Sequence, residues 1–267
     1  MGSRKTVAVA AAAFLTLAAC GGGGGGGDDA GDAGAAQETP ETAAPEEVTL
    51  TLDDSGYQAG GTLEAEPVTI TVTNETDAPH MTFFARLNDG VTQAQIEKSM
   101  KKGPDAIFPL ITVAGGAPET EPGGTSSVTV DLPEGTYLVI DPEADGPPPV
   151  GFFEVTAATG PEVEAPEADW SIEAGDFYFE TTDPVSGPSL VEISNEGEQG
   201  HEVILAKAPA KSRKDEVGFY LAPPPGGRMW VEIDLEPGDY KLLCFFPDPK
   251  TEKPHVKLGM ERDFSVE

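Results

Sequence analysis

The chain has 267 residues and carries 47 acidic against 16 basic side chains, a formal net charge of −31. Such a surface repels phosphate backbones and anionic lipid headgroups, so nucleic acid is excluded as a partner. With two Cys, three His and five Met in total, the sequence has little material for metal or thiol chemistry, and the stretch CFFPDPKTEKPHVKLGM (244–260) holds one Cys, one His and one Met together.

Taken in chain order, Arg4 and Lys5 precede an apolar run at residues 7–17, which is too short for a comfortable membrane span and reads as a secretory signal. Leu17-Ala18-Ala19-Cys20 resembles the bacterial lipobox, which implies cleavage within a 1–20 signal peptide and lipidation of Cys20. The expected location is therefore extracytoplasmic, anchored to a bacterial membrane through Cys20. Residues 21–47 are Gly-rich, then acidic, without apolar periodicity. They read as a flexible tether with a reach of about 30 Å.

The remaining residues contain an internal repeat. VTITVTNETDAPHMTFF (68–84) matches LVEISNEGEQGHEVIL (190–205), each with Asn-x5-His, at Asn74/His80 and Asn195/His201. VTVDLPEGTY (128–137) matches VEIDLEPGDY (231–240). His80 and His201 lie 121 positions apart, but Tyr137 and Tyr240 only 103, so copy one is 18 residues longer in between. Both copies alternate apolar and polar residues between Gly/Pro turns, the pattern of β-sandwiches. The expected organisation is two sandwiches, 48–157 and 168–267, joined by a linker at 158–167. One helix is predicted, at 92–102, with Thr92 as its N-cap and Gly103-Pro104 ending it.

In copy two, a strand at 239–246 places Tyr240, Leu242, Cys244 and Phe246 on one face. His201 opens a strand at 201–205, and His255 and Met260 flank a loop leading into a last strand at 262–266. Asn-x5-His, then Gly-x-Tyr-x3-Cys, then Pro-His-x4-Met before a closing strand resembles the cupredoxin, or blue-copper, family. The resemblance implies an all-β fold of two tandem cupredoxin-like Greek-key sandwiches. It also implies one type 1 copper in the second copy, held by His201, Cys244, His255 and Met260. The spacing His255-x4-Met260 is that of plastocyanin-like domains, whereas Cys244-x10-His255 is wider than they use. A thiolate, two imidazoles and a weak thioether suit copper cycling between two oxidation states.

Copy one keeps only His80. Aligning the tyrosines puts Asp141 opposite Cys244, so no metal is expected there. The expected function is single-electron transfer with a redox protein partner. The alternatives are copper storage without electron transfer and a metal-free scaffold. An enzyme is not expected, since a further copper centre needs more histidines than the chain has. No nucleotide loop, Ser/His/Asp order or His-Glu-x-x-His stretch occurs.

Overall fold

The computed structural model describes residues 43–267, apart from positions 60, 61, 66, 143, 145, 146 and 211. The expected signal peptide, Cys20 and the tether up to residue 42 lie outside the described residues. Copy one contributes β1 (Glu46–Asp53), β2 (Gly56–Ala59), β3 (Leu63–Glu64), β4 (Pro67–Asn74), β5 (His80–Leu87) and α1 (Gln93–Met100). A 3-10 helix (Pro104–Leu110) follows, then β6 (Ile111–Thr120), β7 (Thr125–Asp131), β8 (Gly135–Ile140) and β9 (Val150–Thr156). Copy two contributes β10 (Trp170–Gly175), β11 (Tyr178–Thr181), β12 (Gly187–Asn195), β13 (Glu202–Lys207) and β14 (Glu216–Leu221). It ends with β15 (Arg228–Leu235), β16 (Gly238–Leu243) and β17 (Glu261–Val266).

The fold is an all-β sandwich. Period-two alternation makes the strands: Val68, Ile70 and Val72 of β4 are buried, while Thr69 and Thr71 face outward and hydrogen-bond Thr129 and Ser127 on β7 at 2.8 and 2.9 Å. Each copy opens with the same unit, a short antiparallel hairpin whose first strand also pairs in parallel with a later one. These are β1 with β2 and β4, and β10 with β11 and β12.

Where two bodies on a linker are expected from the sequence, the structure joins the copies through a sheet. β7 and β15 pair antiparallel at Val130/Met229 and Thr129/Trp230, giving one eight-stranded sheet in the order β11-β10-β12-β15-β7-β4-β1-β2. Each is the edge of its own half-sheet, and the pairing satisfies backbone groups that would otherwise face outward. The opposing layers are β3-β9-β8-β5-β6 in copy one and β14-β13-β16-β17 in copy two.

The stretch expected as a linker is also tied down. Ala43 bridges Val163, and Glu64 accepts from Thr159 N and Oγ1. The strand β1 begins at Glu46, inside the expected tether, because its backbone pairs with β4 whatever the side chain. Both contacts run through backbone or polar groups and leave no apolar periodicity to read.

The extra residues of copy one cover an outer face. Thr92 caps α1 in a capping box: Gln95 N donates to Thr92 Oγ1, and Thr92 N donates to Gln95 Oε1. The helix closes at Met100, two residues before the expected end, and Gly103 then takes φ 130°. Ile96 of α1 and Ile107 of the 3-10 helix pack on Ala85, Leu87, Leu138 and Ile140. The outer face of copy two's second layer is apolar as well, with Ile204, Ala206, Phe219, Leu221 and Leu243, and Met81, Phe83 and Val113 of copy one pack against it.

Candidate metal centre

A fully buried asparagine shapes the loop before His201. Asn195 Nδ2 donates to the carbonyls of Gln199 and Pro223, both at 2.9 Å, and Gly197 N donates to Asn195 Oδ1 at 3.0 Å. Copy one repeats this at Asn74, which donates to Ala78 O and Thr120 O and accepts from Thr76 N. The Asn of Asn-x5-His is thus the clamp of the loop that delivers the histidine. His201 lies just before β13, which starts one residue later than expected.

The strand leading to Cys244 ends at Leu243, short of the expected 239–246, so Cys244 stands just past it, where the chain turns into a small hairpin. His255 N donates to Phe246 O at 2.9 Å, Asp248 N to Lys253 O at 2.9 Å, and Pro247 bridges Pro254. That hairpin absorbs the ten residues between Cys244 and His255. A 3-10 helix at His255–Leu258 follows, and Gly259 at φ 110° reverses the chain. Met260 N then donates to His255 O at 3.0 Å, and Cys244 N to Met260 O at 3.4 Å.

His201, Cys244, His255 and Met260 are all fully buried. His201 Nδ1 stands 3.2 Å from His255 Nδ1, and Cys244 Sγ stands 3.5 Å from His255 Nδ1. One donor atom from each of His201, Cys244 and His255 lies within 4.8 Å of the others, an arrangement that can hold a metal ion. Two imidazole nitrogens 3.2 Å apart cannot both turn lone pairs on each other, so either one of them carries its N–H there or a metal ion lies between them. Burial pushes the Cys244 thiol up to about 12, with only the N–H of Glu202 and Phe246 favouring the thiolate. In the metal-free protein the thiol is therefore protonated at neutral pH, and a thiolate there needs a cation partner.

Five residues around this cluster escape sequence reasoning. Gln199 Oε1 lies 3.2 Å from His255 Nε2, Asp176 Oδ1 lies 3.4 Å from His201 Nε2, and Glu202 N donates to Cys244 Sγ at 3.3 Å. Phe177 stands edge-on to the His255 ring at 5.1 Å, and buried Asp248 braces the hairpin by accepting from Thr251 N and Oγ1. Gln199 and Glu202 flank His201 in the sequence and were the findable pair. Asp176 and Phe177 lie on a distant turn whose place beside the histidines has no local signal.

Burial first, and then His255, lower the His201 pKa from 6.5 to about 4, against the pull of Asp176. Burial lowers His255 too, against Asp248 and Asp176. As pH falls through 6.5 the unfolded chain takes up a proton that folded His201 refuses. The stability from this group is complete above 6.5 and is lost progressively toward pH 4, up to about 3 kcal/mol. Metal-free protein under chelator should therefore show a lower urea midpoint at about pH 5 than at about pH 7.5, and His201→Leu should shrink that difference. Equal shifts in parent and variant would contradict a buried neutral imidazole.

In copy one, His80 Nδ1 meets buried Asp141 Oδ2 at 2.8 Å. A carboxylate stands where copy two has its thiol, and the histidine is satisfied by it. Among the described residues, the copy-two trio is the cluster of three or more metal-capable side chains.

No family model matches the chain, and no curated protein does. Among solved structures, it is similar to dithionite-reduced auracyanin from the photosynthetic bacterium Roseiflexus castenholzii. The identity is 18%, covering 36% of this chain and 94% of that one, with a TM-score of 0.28. A multicopper oxidase matches at 15% identity, over 87% of this chain and 94% of that one, at TM-score 0.25. The copper nitrite reductase from Nitrosomonas europaea matches at 12% identity, over 84% and 94%, at TM-score 0.24. At these scores no residue role or activity passes from those proteins to this chain.

Proposed function

We propose that the chain is a mononuclear type 1 copper protein of the cupredoxin kind, lipid-anchored through Cys20 outside the cytoplasm, that passes single electrons between redox proteins. One observation carries this reading: Cys244 Sγ and the Nδ1 atoms of His201 and His255 converge in a buried pocket. Met260, hydrogen-bonded through its backbone to both Cys244 and His255, would complete the set as the weak fourth donor. Copper would supply one-electron chemistry there. Zinc would also accept a thiolate and two imidazoles, but gains little from a thioether.

The loop clamps at Asn195 and the 246–255 hairpin fix donor positions in advance, which suits a centre that changes charge with little movement. The third histidine, His80, is committed to Asp141, which leaves none for a second copper centre and favours a carrier over an oxidase. The acidic surface favours a basic redox partner.

Copper storage is the second reading. It draws on the complete burial of His255, closed off by Phe177, Phe246 and Gln199. An absorption spectrum of the metal-free protein after copper addition separates the two. A strong visible thiolate-to-copper band that bleaches with a mild reductant and returns on reoxidation supports the carrier. Tight binding without colour supports storage, and no binding overturns both.

A further inference from the structure

The turn between β10 and β11 consists of Asp176 and Phe177, and it reaches both imidazoles of the metal centre. Asp176 Oδ1 accepts from Glu198 N at 3.1 Å and Gln199 N at 3.3 Å, and it lies 3.4 Å from His201 Nε2. That Nε2 is buried and makes no well-formed hydrogen bond of its own. The other ring nitrogen, Nδ1, points the opposite way, 3.2 Å from His255 Nδ1.

A neutral imidazole carries one proton, and the environment chooses the nitrogen. With the proton on Nδ1, the lone pair of Nε2 would face a carboxylate, two acceptors opposed in a buried place. With the proton on Nε2, Asp176 gains a donor and the Nδ1 lone pair is turned toward Cys244 and His255. We propose that Asp176 is the positioning residue of this centre. Its carboxylate holds His201 as the Nε2–H tautomer and fixes the ring so that Nδ1 is presented as the donor. The metal part of this rests on the copper reading, while the tautomer rests on the protein alone.

The surroundings are arranged for that contact. A Cβ on Gly197 would collide with Asp176 Oδ1 and come within 2.7 Å of His201 Nε2, so a glycine keeps the space between them clear. Phe177 holds φ 71°, a left-handed conformation that is costly for an aromatic residue. This turn also carries the ring that stands edge-on to His255. In copy one, whose described residues hold no such cluster, the positive φ of the equivalent hairpin falls on a glycine, Gly56. An outer carboxylate on a ligand histidine commonly changes metal affinity by about 10–100-fold.

The test compares the parent with Asp176→Ala and Asp176→Asn. In the metal-free proteins, long-range proton–nitrogen NMR of the imidazoles reads the tautomer directly. The parent should show His201 protonated on Nε2, and Asp176→Ala should mix the tautomers. Asp176→Ala should also weaken copper binding by about 10–100-fold. The asparagine variant, which still offers an oxygen to Nε2–H and to the loop amides, should recover most of that loss. A merely structural role would lower stability in the alanine variant and leave the tautomer unchanged, which overturns the proposal. So does a parent whose His201 carries its proton on Nδ1. If the parent takes up no copper, the copper reading fails, and the NMR comparison still decides the role of Asp176. Should Asp176→Ala not fold, the tautomers of the parent and of Asp176→Asn decide it.

Discussion

Cys244→Ser should leave the protein colourless after copper addition, with complete loss of any visible thiolate band. The sulfur is the only soft anionic donor that the cluster offers. A serine hydroxyl cannot replace it, because it does not ionise at neutral pH and matches copper poorly. Since burial holds the free thiol at about 12, metal uptake at neutral pH must also expel the thiol proton. Copper binding by the parent should therefore release about one proton and weaken as pH falls. Neighbouring substitutions should rank below this one. Met260→Leu should keep metal and colour and move the reduction potential, because a thioether would be the weakest donor of the set. His80→Ala, whose imidazole is paired with Asp141, should leave the spectrum unchanged. A coloured Cys244→Ser protein would show that the thiolate is not the donor, and the copper reading would go with it.

What could be read from the sequence follows from how local each signal is. Val68, Ile70 and Val72 announce a half-buried strand in five residues. The order His201, Cys244, His255, Met260 announces a donor set because each lies next to a turn or strand end that the pattern already marks. Thr92 announces a cap in the same way. The reading stops where the physics is non-local. The pairing of Val130 with Met229 is invisible, because an edge strand alternates like an inner one. Leu243 sits on the face of β16 opposite Cys244, where alternation alone expects the outside of the sandwich. It is nonetheless fully buried, because Met81, Phe83 and Val113 arrive from 130 or more residues earlier. Asp176 reaches His201 through a turn that, in sequence, is merely polar.

That covered face yields the second large prediction, that the two copies unfold together. Both tryptophans of the chain, Trp170 and Trp230, belong to copy two, whereas far-ultraviolet circular dichroism senses the strands of both copies. Fluorescence and dichroism should trace one coincident urea transition. Alone, copy two would expose Ile204, Phe219, Leu221 and Leu243 to water, and copy one would regain a bare edge at β7. Leu243→Ala removes a fully buried side chain at the seam and should cost about 2–5 kcal/mol. If the seam couples the copies, that substitution must lower both midpoints equally, although Leu243 lies in copy two alone. A fluorescence transition that moves while the dichroism splits into two steps would mean that the copies are independent bodies which merely touch. In that case the shared sheet at β7 and β15 would contribute little to the stability of either.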